Sequence, residues 1–319
     1  MDRDVVVIGG SAGALDPLKQ IVTDLSPDTP ASVLVVLHVA ATAPSALAAI
    51  LSRLGGMRAV NPRNGDRLRP GYIYVGSPNQ HLEVSDGTIH LTHGPRVNGM
   101  RPAVDVLFRS AAAAYGPRVV GVILSGGLDD GSVGLAAIRA AGGVGIVQSP
   151  DDALMDSMPK NAIGVAAPDH VVPADKIGET IGRVLGKGAP QKQGSTGGID
   201  MEAVGANDTN GDVTGVTCPD CHGSIWLQKD KSGAVAFTCR VGHSYSPESF
   251  FEIQAENVED ALWAGVRSLE EQASFAGVMA SRANMMEDKQ AAERCERRRR
   301  LAGQNAEVLR RLVLDRSEA

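Results

Sequence analysis

The sequence predicts an α/β protein whose doubly wound, mostly parallel sheet carries helices on both faces, followed by a small ribbon and a helical hairpin. Up to about residue 186, short β-branched runs alternate with amphipathic helical patterns, which is typical of a parallel sheet buried on both sides. The predicted strands are residues 4–8, 32–37, 119–124 and 144–147. The predicted helices are residues 14–25, 44–54, 103–114, 131–141 and 174–185. This alternation indicates a Rossmann-like architecture.

Between the second helix and the third, the pattern changes. Residues 72–91 contain short alternating runs, and the turn-forming residues 85–87 (Ser-Asp-Gly) separate the last two of them. Such a pattern predicts a β-hairpin.

The first strand ends in a tight turn that contains Ser11. The β-branched residues 5–8 are followed by residues 9–13 (Gly-Gly-Ser-Ala-Gly), and an amphipathic helix begins directly after them. A serine on a strand-to-helix turn is exposed at the edge of the sheet, where a nucleophile is best presented. Taken alone, the pattern is more often a tight turn or a phosphate-binding loop.

The same turn argues against a dinucleotide-binding protein. That fingerprint needs glycines at positions 9, 11 and 14 and an acidic residue at the end of the second strand. The chain instead has Ser11, Ala14 and, after the second strand, His38. Histidine is a general base rather than a ribose acceptor, so the fingerprint fails at three positions.

A third strand end supplies carboxylates. Residues 119–124 lead into a glycine-rich loop that contains Asp129 and Asp130. Because the carboxyl ends of parallel strands line one crevice, Ser11, His38 and an aspartate of this loop can converge as nucleophile, base and orienting group. Either aspartate could instead cap the helix that follows.

Together these motifs resemble the catalytic domain of the CheB family, the protein-glutamate methylesterases of bacterial chemotaxis. The resemblance extends over roughly residues 1–186 and rests on five ordered segments, namely residues 9–13 (GGSAG), 37–39 (LHV), 101–108 (RPAVDVLF), 122–126 (VILSG) with 130–131 (DG), and 158–159 (MP). The chain differs from the usual family pattern at Ala12, Ala14, Gly127 and Asp129, where threonine, glycine, methionine and asparagine are common.

The resemblance implies a serine hydrolase. It implies that Ser11 is the nucleophile, that His38 is the base and that Asp130 orients the imidazole. The implied reaction is hydrolysis of glutamate γ-methyl esters on the cytoplasmic helices of chemoreceptors, with glutamine deamidation as a side activity. A catalytically weak adaptor in a signalling complex is the alternative, and methanol release from methylated receptor separates the two.

Further residues are expected to serve the same reaction. Backbone N–H groups near Ala12 and Gly127 are candidates for the oxyanion hole. Arg101, in the family-like segment, is expected either in the substrate crevice or in a structural salt bridge. No cofactor is expected for catalysis. The expected partners are methylated chemoreceptor helices, together with signalling kinase or methyltransferase components.

Composition narrows the function classes. The net charge of −6 and the pI near 5.7 argue against a nucleic-acid partner. The N-terminus has no signal-peptide core, and no apolar run approaches the ~20 residues of a membrane span, so a cytoplasmic protein without membrane insertion is expected. CheB-family members commonly carry an N-terminal receiver domain. Since this chain begins at the first catalytic strand, we expect any regulation to come from its C-terminal part.

A second module is expected after a linker. Residues 187–217 are polar and lack hydrophobic periodicity, which predicts a flexible linker. Residues 218–245 then contain Cys218, Cys221, Cys239 and His243, with spacings CxxC and CxxxH. Three thiolates and one imidazole form the donor set of a structural zinc site, so a zinc-ribbon-like module is predicted, with His222 as an alternative ligand.

The remaining residues, 246–319, are predicted to form a helical hairpin or coiled coil. Apolar residues recur at helical spacing in residues 247–282 and 287–314. Cys295 lies in a polar stretch of the second helix and is expected to have no metal-binding role. The arginine run at residues 297–300 is most simply a solvated face, with partner docking as the alternative.

Overall fold

The computed structural model describes residues 2–38, 46–185, 212–229 and 235–316. Its central sheet has seven strands: β1 (Val5–Gly10), β2 (Ser32–Leu37), β3 (Arg58–Val60), β4 (Tyr72–Val75), β7 (Val119–Ile123), β8 (Val144–Gln148) and β9 (His170–Val172). They lie in the order β3-β4-β2-β1-β7-β8-β9, and every neighbouring pair is parallel. Strand order reverses about β1, which confirms the predicted doubly wound sheet.

Helices cover both faces of this sheet. They are α1 (Leu15–Asp24), α2 (Leu47–Leu54), α3 (Val104–Tyr115), α4 (Ser132–Ala140), α5 (Ser157–Ala166) and α6 (Ala174–Val184). Within β1, Val6 and Ile8 belong to the apolar cluster that includes α1 and α6, whereas Val5 and Val7 belong to the cluster that includes α3 and α4. Both faces are therefore buried, which explains why the strands are continuous apolar runs.

The segment predicted as a hairpin divides into two parts. β5 (His81–Ser85) and β6 (Thr88–Thr92) form the antiparallel hairpin. β4 instead joins the central sheet between β2 and β3. The polar–apolar alternation in the sequence of β4 comes from Tyr72 and Tyr74 and does not mark a solvent-exposed face. Tyr74 is buried, and its hydroxyl donates to the Arg67 carbonyl.

A separate antiparallel sheet forms the ribbon. Its strands are β10 (Asp212–Thr217), β11 (Ser224–Lys229), β12 (Val235–Cys239) and β13 (Ser244–Tyr245). Most of the predicted linker lies outside the described residues, but its last six residues form β10. Val213 pairs there with Trp226, a cross-strand partner that the sequence pattern of the linker does not reveal.

The chain forms two compact units, Met1–Phe250 and Phe251–Ala319. The ribbon thus belongs to the same unit as the α/β part. The predicted helical hairpin is confirmed as α7 (Pro247–Met285) and α8 (Lys289–Arg316). Within the second unit, Arg310 of α8 forms an ion pair with Glu270 of α7. None of the described helices combines the length and apolar character that crossing a bilayer requires.

Candidate active site

The order β2-β1-β7 places three strand ends side by side. The His38 N–H donates to the Gly10 carbonyl at 3.1 Å, and the Ser11 N–H donates to the Ser125 carbonyl at 2.9 Å. The sheet ladder therefore continues one residue past β1 and β2 and two residues past β7. It fixes the turn that carries Ser11 at the end of the central strand β1, with His38 on one side and the Asp129–Asp130 loop on the other.

His38 and Asp130 meet in this crevice. Nε2 of His38 lies 2.8 Å from Oδ2 of Asp130, and both side chains are almost fully buried. A carboxylate can only accept, so Nε2 carries the proton and Nδ1 is left as the basic nitrogen.

The Asp130 carboxylate is held by three further donors. Oδ2 also accepts the Val104 N–H at 2.6 Å, and Oδ1 accepts the Asp105 N–H at 3.1 Å and the Asn98 amide at 3.2 Å. Burial by itself would raise the pKa of Asp130, but the hydrogen bond and charge of His38 and the two backbone N–H groups hold that pKa below its ordinary value. Asp130 is therefore ionised and rigidly oriented.

Ser11 is half-buried at its turn, and its hydroxyl forms no hydrogen bond with any other described residue. Close packing behind it depends on Gly126. A Cβ atom at position 126 would lie 2.9 Å from the Ser11 Cβ and 2.1 Å from the Met158 sulfur, so only glycine fits there. The hydroxyl is left available to a substrate.

Candidate oxyanion donors flank the serine. Among the described residues, the N–H groups of Ala12 and Gly127 have no hydrogen-bond partner, whereas the neighbouring Gly126 N–H donates to the Met155 carbonyl. A Cβ at Gly127 would meet none of the described residues within 4 Å, so no described group packs against that side of the residue. Both groups stay predictions for the oxyanion hole.

Arg101 is engaged by its own loop. Nε and Nη2 donate to the Asn79 side chain, and Nη1 donates to the His93 and Gly94 carbonyls. Most of its N–H donors are thus committed to the protein, which supports the structural alternative over the proposed contact with substrate. The contacts are hydrogen bonds rather than a salt bridge.

Asp105 and Asn98 were not identified as site residues from the sequence. Asn98 donates through Nδ2 to both Asp105 and Asp130, and so bridges two buried carboxylates. Burial, together with the charge of Asp130, raises the pKa of Asp105 to about 7. The available signal for Asp105 was a single acidic residue within the apolar residues 103–108, whereas Asn98 followed by Gly99 indicates only a turn.

Asp129 contacts two serines rather than His38. Its Oδ1 accepts the hydroxyls of Ser249 at 2.6 Å and Ser246 at 2.9 Å. The alternative of side-chain helix capping is wrong for both aspartates, because α4 begins after Gly131 without a side-chain cap. Gly131 has φ of +94°, a conformation that turns the chain before the side chain of either aspartate can reach the helix N-terminus.

The four predicted metal ligands also come together. The ligand atoms of Cys218, Cys221, Cys239 and His243 all lie within 4.8 Å of one another. Tetrahedral bonds of about 2.3 Å to sulfur and 2.0 Å to nitrogen place S–N pairs about 3.5 Å apart. The S–N distances of Cys218 and Cys239 to His243 are 3.6 and 3.5 Å, so the donor set fits zinc. His222 is not in the cluster.

Comparisons with known proteins address the α/β part. A relative from Leptospira interrogans is 34% identical over 180 residues, which make up 56% of this chain and 93% of that protein. The protein-glutamate methylesterase/protein-glutamine glutaminase of Symbiobacterium thermophilum is 38% identical over 189 residues, 59% of this chain and 52% of that protein. The chain thus spans nearly all of the first relative and about half of the second.

A solved structure gives the same result for the fold. The Thermotoga maritima CheB methylesterase catalytic domain superposes with a TM-score of 0.54 and 29% identity, over 58% of this chain and 100% of that domain. Residues 6–181, more than half of the chain, match the CheB methylesterase family. The chain therefore belongs to the CheB methylesterase family.

Proposed function

We propose that the chain is a serine hydrolase that removes methyl groups from glutamate γ-methyl esters in proteins. The observation that carries this proposal is the buried His38–Asp130 hydrogen bond beside the turn that presents Ser11. It supplies an oriented base next to an unengaged hydroxyl, which is the arrangement that acyl transfer requires.

The mechanism begins with Ser11. Its Oγ attacks the ester carbonyl carbon while Nδ1 of His38 takes the hydroxyl proton, and Asp130 stabilises the imidazolium. The N–H groups of Ala12 and Gly127 bind the oxyanion. The C–O bond to the methoxy group then breaks, and methanol leaves with the proton from His38.

A second half-reaction restores the enzyme. Water attacks the acyl carbon as His38 takes its proton. The Ser11–acyl bond then breaks, His38 returns the proton to Oγ of Ser11, and a glutamate side chain is released. An amide nitrogen in place of the methoxy group gives the same sequence with ammonia as the leaving group. Glutamine deamidation is therefore a second reaction of the same site.

The substrate follows from the relatives. The Symbiobacterium protein is named for both methylesterase and glutaminase reactions, which supports methylated glutamates of chemoreceptor helices as the substrate. The reaction would take place in the cytoplasm, where those helices lie. Kinase or methyltransferase components of the pathway are further proposed partners.

The test is methanol release from methylated receptor helices. Ser11→Ala is expected to abolish release without changing the thermal midpoint, because the hydroxyl forms no hydrogen bond with the described residues. Ser224→Ala, an exposed serine of β11, is the matched control and is expected to be unchanged. A wild-type protein that binds these helices but releases no methanol would support the adaptor alternative.

We further propose that the Cys/His cluster binds one structural zinc ion. Cys218, Cys221, Cys239 and His243 would hold it, and the ion would tie β10–β11 to β12–β13. Metal analysis of the reduced protein should give about one zinc per chain. Cys221→Ser should lower that content, whereas Cys295→Ser, outside the cluster, should not. A wild-type protein purified without zinc would refute the site.

A further inference from the structure

The end of the ribbon lies directly on the catalytic loops. Residues 244–249, called here the docking segment, follow β12 and include the first turn of α7. Ser244 forms a parallel bridge with Val97, and its carbonyl accepts the Asn98 N–H at 2.8 Å. The docking segment therefore extends the backbone hydrogen bonding of the loop that carries Asn98.

One contact reaches Asp130 through a single side chain. The Ser246 N–H donates to Oδ1 of Asn98 at 2.9 Å, and Nδ2 of the same amide donates to Asp130. Asn98 is 4% exposed, so no water competes freely for it. Because the Ser246 N–H occupies the amide oxygen, the NH2 group must face the two carboxylates.

The other contact holds the residue before Asp130. The hydroxyls of Ser246 and Ser249 both donate to Oδ1 of Asp129, which is 6% exposed. Burial raises the pKa of Asp129, and the two hydroxyls oppose that rise. Without them a buried carboxylate next to Asp130 would lose its donors, and the loop would have to rearrange to solvate it.

The docking segment lies outside residues 6–181 that match the family. The Thermotoga catalytic domain is matched over its full length by 58% of this chain. The family match does not include the docking segment, so we treat these contacts as an addition to the family's catalytic fold.

We propose that Asn98, Ser246 and Ser249 are positioning residues through which the ribbon holds Asp130 against His38. The proposal rests on the proposed esterase function. It implies that turnover depends on a segment more than 110 residues away from Asp130 in sequence, as the separations of 117 and 120 residues between Asp129 and the two serines show. The ribbon is then part of the working enzyme.

The experiment uses the full chain with Ser246→Ala and Ser249→Ala combined. We expect kcat for methanol release to fall ~10-fold or more with KM changed less than about threefold, because misplacement of a catalytic group affects the chemical step rather than binding. The variant Ser246→Thr keeps the hydroxyl and the hydrogen bond that this hydroxyl accepts from the Ser249 N–H. Its kcat should return to the wild-type value. Ser224→Ala is the matched control.

A double-mutant cycle isolates the charge of Asp129. In an Asp129→Asn background, the two serine substitutions should cost less than about threefold, because a neutral amide needs the hydroxyl donors less than a carboxylate does. Equal losses in both backgrounds would overturn the proposal. Ser249→Ala alone gives the same comparison if the double variant does not fold.

Amide hydrogen exchange provides a readout that does not need activity. The Val104 and Asp105 N–H groups are bonded to Asp130, so the serine substitutions should accelerate their exchange. Unchanged exchange together with unchanged kcat would refute positioning. A wild-type protein without esterase activity would refute the proposed function, and the exchange measurement would still decide the positioning role.

Discussion

Asp129 and Asp130 are adjacent, which gives a test with an internal control. Asp130→Asn replaces two accepting oxygens with one oxygen and one NH2 group. The four donors now shared by the carboxylate, from His38, Asn98, Val104 and Asp105, would then compete for a single oxygen. The NH2 group would face N–H donors.

The magnitude follows from these contacts. At least two hydrogen bonds to a charged group are lost, each worth about 1.5–3 kcal/mol, and the imidazolium loses its counter-charge. A rise of about 5 kcal/mol in the barrier corresponds to a fall of ~10⁴-fold in kcat, similar to that of the serine-protease template. In Asp129→Asn the remaining oxygen can still accept Ser246 and Ser249, so activity should stay within about tenfold.

The assay is methanol release under saturating substrate, with thermal melts to verify folding. Asp130→Asn with activity within tenfold of wild type, or a larger loss in Asp129→Asn than in Asp130→Asn, would refute the assignment of Asp130 as the orienting carboxylate. The second result would identify Asp129 as the third triad member.

Three other predictions concern the same site. His38→Gln should reduce turnover about as much as Ser11→Ala, and the double variant should lose little more, because triad members act as a unit; steady-state kinetics of all three decides this. Burial raises the pKa of Asp105 from 3.8 to about 7, so its contribution to stability is fully present below pH 3.8 and is lost as the pH rises through about 7. Asparagine does not titrate. The thermal midpoint of Asp105→Asn, measured relative to wild type, should therefore be higher at pH 8 than at pH 5. A constant difference between the two melts would contradict that pKa shift. For Asp130 the pH dependence of stability is reversed, because its lowered pKa gives stability above pH 3.8 that is lost as the pH falls. The loss of stability in Asp130→Asn relative to wild type should therefore be smallest at acid pH.

The parallel sheet could be predicted because its strands are buried on both faces. Residues 33–37 and 119–123 carry no polar side chain, and only a doubly covered sheet buries every residue of such a run. The meeting of His38 and Asp130 followed from the rule that strand ends share a crevice. Short edge strands such as β3 and β9 were missed, since three residues carry too little periodicity to be distinguished from loop.

The contacts of the docking segment could not be predicted. The sequence pattern around Ser246 indicates a helix N-terminus, and it identifies no partner on the α/β part. The sequence around Asp129 is equally typical of a helix cap, because a sequence pattern identifies only partners that are near along the chain. Pairings over 117 residues depend on tertiary packing that no local pattern contains.

The central position of β1 has a consequence for synthesis of the protein. Ser11 leaves the ribosome before its partners, which belong to strands on opposite sides of β1, and His38 and Asp130 are 92 residues apart. A nascent chain that ends before β7 therefore carries only an ordinary, unactivated alcohol. The hydrolytic site can form only after β7 has paired with β1 and Asp130 has been synthesised, so shorter nascent chains cannot attack esters.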